Sequence, residues 1–203
     1  MGAYFGNVMV LLPERQSLEE IPRLLHQAGL RLDDTFVCPQ EEIWEEENVV
    51  AAALPPDTRW LTCWDPVCRQ GFDPDLAEEL AQIYGTVFHT PALSFSVEDG
   101  ELLLMGCFLP ARRFSRWYAR GSKGILKEYG ISSQAGAFPQ EVSRLLPTPR
   151  IFPFHRVWSA PGIGQEEERL MDMAALFGFA PVSLDEGIPP PVKSRFFRVP
   201  YGR

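Results

Sequence analysis

The sequence predicts an α+β domain, an antiparallel β-meander packed against a few short helices. Three observations carry that prediction. Leu93–Val97 and Leu102–Leu109 are apolar runs flanking Asp99-Gly100, and an Asp-Gly pair between such runs is the strongest short-range hairpin signal. Behind the corner Pro110-Ala111, Arg112–Arg120 alternates in polarity and adds a third strand. Helical and extended stretches do not alternate in long β-α-β units, which disfavours a parallel α/β sheet. At 203 residues, 45% of them hydrophobic, the chain is long enough to bury a sizeable core.

The elements follow in order. Tyr4–Leu12 reads as a buried strand stopped by Pro13. Ser17 with Glu20 matches a capping box, and Leu18, Ile21, Leu24 and Leu25 recur at helical spacing until Gly29, the expected stop. Leu30–Val37 alternates weakly and reads as a second strand. Pro55-Pro56 breaks the chain after the apolar Val49–Leu54, and Arg59–Trp64 reads as a strand. Asp73-Pro74 sets a cap and a first-turn proline on a helix whose apolar face is Leu76, Leu80 and Ile83, closed by Gly85. Thr86–Val97 is β-branched and aromatic, with Pro91 confined to a strand start, edge or bulge.

Beyond the meander, Lys123–Tyr129 and Pro139–Leu146 read as short helices and Arg150–Trp158 as extended. Gln165–Phe177 reads as a helix with Leu170, Met173, Ala174 and Phe177 on one face, ended by Gly178. Residues 1–180 are expected to form one α+β domain, with room for a weak subdivision near 110–120. Residues 181–203, which include Pro189-Pro190-Pro191, read as an extended Pro-rich arm or a loosely held tail.

The N-terminus has no positively charged region before its apolar run, and Glu14 and Arg15 soon follow, so it does not read as a secretory signal. No apolar run approaches the roughly 18 residues that a membrane span needs. Four cysteines are too sparse for a disulfide scaffold. A soluble cytoplasmic protein with no membrane partner is therefore expected.

Charge is the property that bears most on function. Residues 1–111 hold 19 acidic and 5 basic side chains, whereas residues 112–203 hold 8 and 14. Such poles can orient charged partners before contact. Five of the seven residues in 41–47 are carboxylates: Glu41, Glu42, Glu45, Glu46 and Glu47 surround Trp44. Clustered carboxylates repel, and an aromatic anchor in a charged rim is typical of interface hot spots. The competing reading is a solvated acidic loop with Trp44 tucked into the core. The segment from Arg112 carries Arg113, Arg116, Arg120, Lys123 and Lys127 with no acidic residue up to 127. Its arginines alternate with aromatics and suit stacking on bases and gripping phosphates. The competing readings are protection of a sheet edge, which is preferred, and pairing with the acidic half of the same chain.

Other constellations are weaker. Cys63 and Cys68 stand five apart around Pro66; they read as structural cysteines, with a redox pair or a zinc half-site completed by His89 or His155 as alternatives. His26, His89 and His155 lack the neighbours of a Cys–His catalytic arrangement. Gly121-Ser122-Lys123-Gly124 and Gly162-Ile163-Gly164 depart from phosphate-loop order and read as turns. No metal and no cofactor is expected, and no motif carries a resemblance to a particular family.

The function expected is a non-catalytic interaction module presenting its acidic surface to a basic protein partner. An immunity or antitoxin-like inhibitor, covering the cationic site of a nuclease, is one concrete version. The first alternative is an enzyme acting on a small anionic substrate, its site assembled from Asp65, His89, Cys107 and the arginines near 112–120. The second is nucleic-acid contact through 112–127, which the net charge of −8 opposes.

Overall fold

Seven strands form one sheet in the order β6-β5-β4-β1-β3-β2-β7, and every neighbouring pair is antiparallel. The computed structural model describes residues 5–35, 49–64, 67, 73–131, 137–161, 165–181 and 191–200. The strands are β1 (Phe5–Leu11), β2 (Val49–Leu54), β3 (Trp60–Trp64), β4 (Ala92–Glu98), β5 (Leu102–Leu109), β6 (Phe114–Gly121) and β7 (Arg195–Pro200). The helices are α1 (Ile21–Thr35), α2 (Pro74–Val87), α3 (Lys123–Glu128), α4 (Gln140–Ser143), α5 (Thr148–Ser159) and α6 (Glu166–Phe177). The class is α+β.

The middle of the sheet has a simple logic. Units β1-α1-β2 and β3-α2-β4 are split, so β3 runs between β1 and β2 while β1 runs between β3 and β4. Interleaving makes every contact antiparallel although each unit alone is a crossover. The meander β4-β5-β6 extends one side, with Val97 opposite Leu103 and Met105 opposite Tyr118. Its first turn places Asp99 and Gly100 at φ 50° and 68°, and Glu101 N–H donates to Glu98 O at 3.0 Å. Left-handed backbone of this kind is what an Asp-Gly pair tolerates.

Helices cover both faces, which is why β3 and β4 are buried at every position and β5 at all but one. On the first face Val8, Val10, Leu61 and Leu104 meet Leu25 of α1 and Leu80 and Tyr84 of α2. On the second, Met9, Phe95, Leu103 and Met105 meet Phe154 and Trp158 of α5 and Met173 of α6. Between α5 and α6 the Arg169 guanidinium is buried. It donates to both oxygens of the buried Glu166 (2.6 and 3.3 Å) and to the carbonyls of Val157, Trp158 (3.0 Å) and Ala160 (2.9 Å). These carbonyls lie at the α5 C-terminus, where intrahelical donors run out.

Several expectations need correction. Helix α1 runs through Gly29 to Thr35, so 30–35 is helical and not a strand. Ser17 makes no capping bond; the Glu20 carboxylate instead accepts from the Gln16 amide at 3.0 Å. Gly85 lies inside α2 and does not close it; a Cβ there would stand 2.4 Å from the Phe108 ring and 2.9 Å from Thr90 O, so the position needs glycine for close approach. Thr86 and Val87 are the last turn of α2, and β4 begins only at Ala92, after Pro91. Residues 148–159, expected to be extended over Arg150–Trp158, are helical, with Pro149 in the first turn and Phe154 and Trp158 buried on one face. Of the expected arm 181–203, residues 195–200 are extended but paired with β2 as an edge strand of the sheet.

Candidate functional site

Part of the acidic excess of the first half lies in the α1–α2 layer. Residues 17–31 and 73–89, which hold most of α1 and all of α2, carry six acidic and two basic side chains. Helix α2 is set by its ends and its inner face. The Asp73 carboxylate accepts from Leu76 N–H at 2.7 Å, Pro74 starts the first turn, and Ala77, Leu80, Ala81, Tyr84 and Val87 are buried. That registration leaves Asp75, Glu78, Glu79 and Gln82 on the outer side. Asp75 also lies in the first turn, where the helix dipole favours a negative charge.

These residues line a groove of about 700 Å³ together with Ile83 and Thr86 and with Arg31 of α1. Among the described lining residues three carboxylates face one guanidinium, an excess of negative charge. The residues of α2 were missed by the sequence reading. Their signal was the i, i+3, i+4 spacing of Asp75, Glu78 and Glu79 opposite the apolar face. Glu41, Glu42, Trp44, Glu45, Glu46 and Glu47 lie outside the described residues, as do Cys38, Asp65, Cys68 and Gly162–Gly164.

Of the six basic residues in 112–127 five are exposed and Arg120 is half-buried, whereas Tyr118 between them is buried. Phe114, Tyr118 and Arg120 lie on the face of β6 turned to the α5–α6 layer, where Tyr118 is 4% exposed and meets Trp158 edge-on at 6.2 Å. A ring so covered offers no surface to a base. Arg112 belongs to a 3₁₀ turn before the strand and pairs with Glu141 at 2.9 Å. Arg113 follows in left-handed conformation (φ 50°). Arg116 is exposed and lies 5.5 Å over the Tyr118 ring. Arg120 donates to Ala160 O at 3.1 Å, and its Nε is buried without a partner among the described residues. Burial, and then repulsion from Arg169, lower its pKa against the opposing pull of Glu166. Lys123 and Lys127 belong to α3, which Ser122 caps by accepting from Ile125 N–H at 3.2 Å. The Gly121–Gly124 loop is thus a helix start.

Four cations of the second half sit on the two margins of the sheet. Arg116 and Arg120 ride on β6, Arg195 and Arg198 on β7. Six strand spacings of about 4.8 Å separate those strands by roughly 29 Å, several times the screening length of about 8 Å at physiological salt.

Nucleophile chemistry finds little support. Burial, with help from Glu141 and Glu78, pushes the Cys107 thiol up to about 12 from 9.0, leaving negligible thiolate near neutrality. His89 is exposed at the end of α2 with φ 53°, and His155 rests against the Phe138 ring at 4.6 Å. His26 Nδ1 lies 3.5 Å from Pro200 O. Cys63 is buried in the first core. Among the described residues, no three His, Cys, Asp or Glu side chains are arranged to hold a metal ion, and no helix is long and apolar enough to cross a membrane. No protein-family model, curated protein or solved structure matches the chain.

Proposed function

We propose that this protein is a non-catalytic interaction module whose acidic α1–α2 layer docks on a basic protein partner. The observation that carries the reading is the groove in which, among the described residues, Asp75, Glu78 and Glu79 face Arg31 alone of the basic side chains. Carboxylates held on a packed helix keep their spacing when a cationic surface approaches, so docking loses little conformational freedom. An inhibitor that covers the cationic active site of a nuclease, as immunity and antitoxin proteins do, is the concrete version. The inward turn of Tyr118 weighs against nucleic-acid contact, and the protonated Cys107 weighs against a thiol enzyme.

The test is capture of basic proteins from host extract by the immobilised full chain. Charge reversal by Glu78→Lys with Glu79→Lys is expected to abolish capture of the principal partner. Both carboxylates are partly exposed, so stability should change by about 0.5 kcal/mol or less. Reversal of Glu45, Glu46 and Glu47 in a second variant separates the acidic segment from the helix layer. Capture that survives both variants removes the reading.

A further inference from the structure

A second recess lies on the opposite face of the sheet, where β1 stops, β3 begins and α6 ends. It encloses about 590 Å³ between Leu11, the β2–β3 turn at Pro55, Pro56 and Asp57, the end of α6, and Pro191, a size typical of small-ligand pockets. At its floor Trp60 meets Phe177 and Phe179 edge-on, with ring centroids 6.0 and 5.9 Å apart. The walls are tied to one another across the chain. Thr58 Oγ1 donates to Gly178 O at 2.7 Å, Thr62 Oγ1 to Ala180 O at 2.7 Å, and Leu12 N–H to Arg59 O at 2.8 Å. Three prolines among the lining residues stiffen it further. The recess is therefore formed before anything enters it.

Its charged lining residues, among those described, are Asp57, Arg59 and Arg150. Main-chain carbonyls hold both guanidiniums in place: Arg59 Nε donates to Leu12 O at 2.8 Å and Arg150 Nη1 to Leu176 O at 2.7 Å. Arg59 Nη1 also meets Glu14 at 3.3 Å in an exposed pair. Those bonds leave the second amino group of each arginine outside them, and a planar fork anchored on one side is suited to a carboxylate on the other.

We propose that this recess binds a small apolar group bearing a single carboxylate, its apolar part against Leu11, Trp60 and the prolines and its charge on Arg59 and Arg150. Asp57 on the same rim disfavours a second negative charge. The shared chemistry has two sources, a free aromatic acid or the C-terminal residue of a peptide.

The test follows backbone amide shifts of the full chain by NMR. The probes are phenylacetate, phenylacetamide, phenylmalonate, and a short peptide ending in phenylalanine with a free or an amidated terminus. Saturable phenylacetate binding with a Kd below about 10 mM is expected, with shifts confined to the amides of Leu11, residues 57–60, Arg150 and residues 174–180, which line or adjoin the recess. The amide, the dianion and the amidated peptide should each bind roughly tenfold more weakly or worse, and Arg150→Gln should weaken phenylacetate by a similar factor. Whichever of phenylacetate and the free-terminus peptide binds tighter identifies the source. Equal binding of acid and amide overturns the proposal without any variant. So do shifts elsewhere, or no saturation by either acid.

Discussion

The seating of α2 on β5 can be tested at one atom. A Cβ on Gly106 would stand 1.8 Å from Ala77 O, 2.4 Å from Ala77 C and 2.5 Å from Ser94 Oγ. An ordinary carbon–oxygen contact is about 3.3 Å or more, so Gly106→Ala requires the α2 backbone to retreat by roughly 1.5 Å. Two of the three obstructing atoms are main chain and cannot rotate away. Retreat also loosens the bridge in which Ser94 Oγ donates to Ala77 O and accepts from Gly106 N–H at 3.2 Å. Overpacking usually costs about 1–3 kcal/mol, and a lost buried hydrogen bond about 1 kcal/mol more. A loss of about 3 kcal/mol corresponds to a melting temperature roughly 6–12 °C lower for a chain of this length. Thermal unfolding followed by far-ultraviolet circular dichroism reads this directly. Gly124→Ala is the matched control: its Cβ meets nothing closer than Ser122 Oγ at 3.7 Å, inside α3, so it should stabilise by about 0.5–1 kcal/mol. A Gly106→Ala protein melting within about 2 °C of the parent would show that α2 does not rest on β5 as described.

Arg169→Met leaves the Glu166 carboxylate buried without its partner and uncaps the α5 C-terminus, so urea denaturation should show a loss of about 3–5 kcal/mol. A loss under about 1 kcal/mol, the range of exposed pairs, would contradict that burial. Asp73→Ala removes the α2 cap bonded at 2.7 Å and should cost about 1 kcal/mol by the same measurement; an unchanged midpoint would argue against the cap. Alkali supplies a further test. Burial raises the Cys107 thiol from 9.0 to about 12, and burial followed by Cys107 itself raises the Tyr118 phenol from 10.0 to about 12. Both groups hold their protons more tightly when folded, so their stabilisation is complete below pH 9 and declines as pH rises towards 12. Cys107→Ala should move the alkaline unfolding midpoint to higher pH, and an unmoved midpoint would refute the assignment.

Elements with a local signal were legible from the sequence. The Asp99-Gly100 turn and the Gly178 stop of α6 need left-handed backbone that few residues tolerate, and the start of α2 is set by the Asp73 side chain accepting from Leu76 N–H. Helix α5 was not legible, because Ile151, Phe152, Phe154 and Val157 favour strands and Pro153 interrupts a helix. Burial of Phe154 and Trp158 against the sheet overrode those preferences. Gly29 and Gly85 punctuate the sequence yet sit inside helices, where Gly85 is required by the approach of Phe108. The order of the sheet is non-local, since β7 pairs with β2 across about three quarters of the chain. The acidic layer was half legible. Its charge shows in the composition, whereas the meeting of Arg31 with α2 depends on tertiary packing.

Arginines on β6 and β7 have a consequence for how this protein behaves at high concentration. An open antiparallel sheet ends in rows of amide and carbonyl groups that can template another chain. Here a second molecule approaching either flank edge-on meets guanidinium against guanidinium, and growth into stacked fibres is opposed from both directions. Neutralising the exposed Arg116, Arg195 and Arg198 together would weaken that barrier at both ends and leave the two edges freer to pair with a further chain.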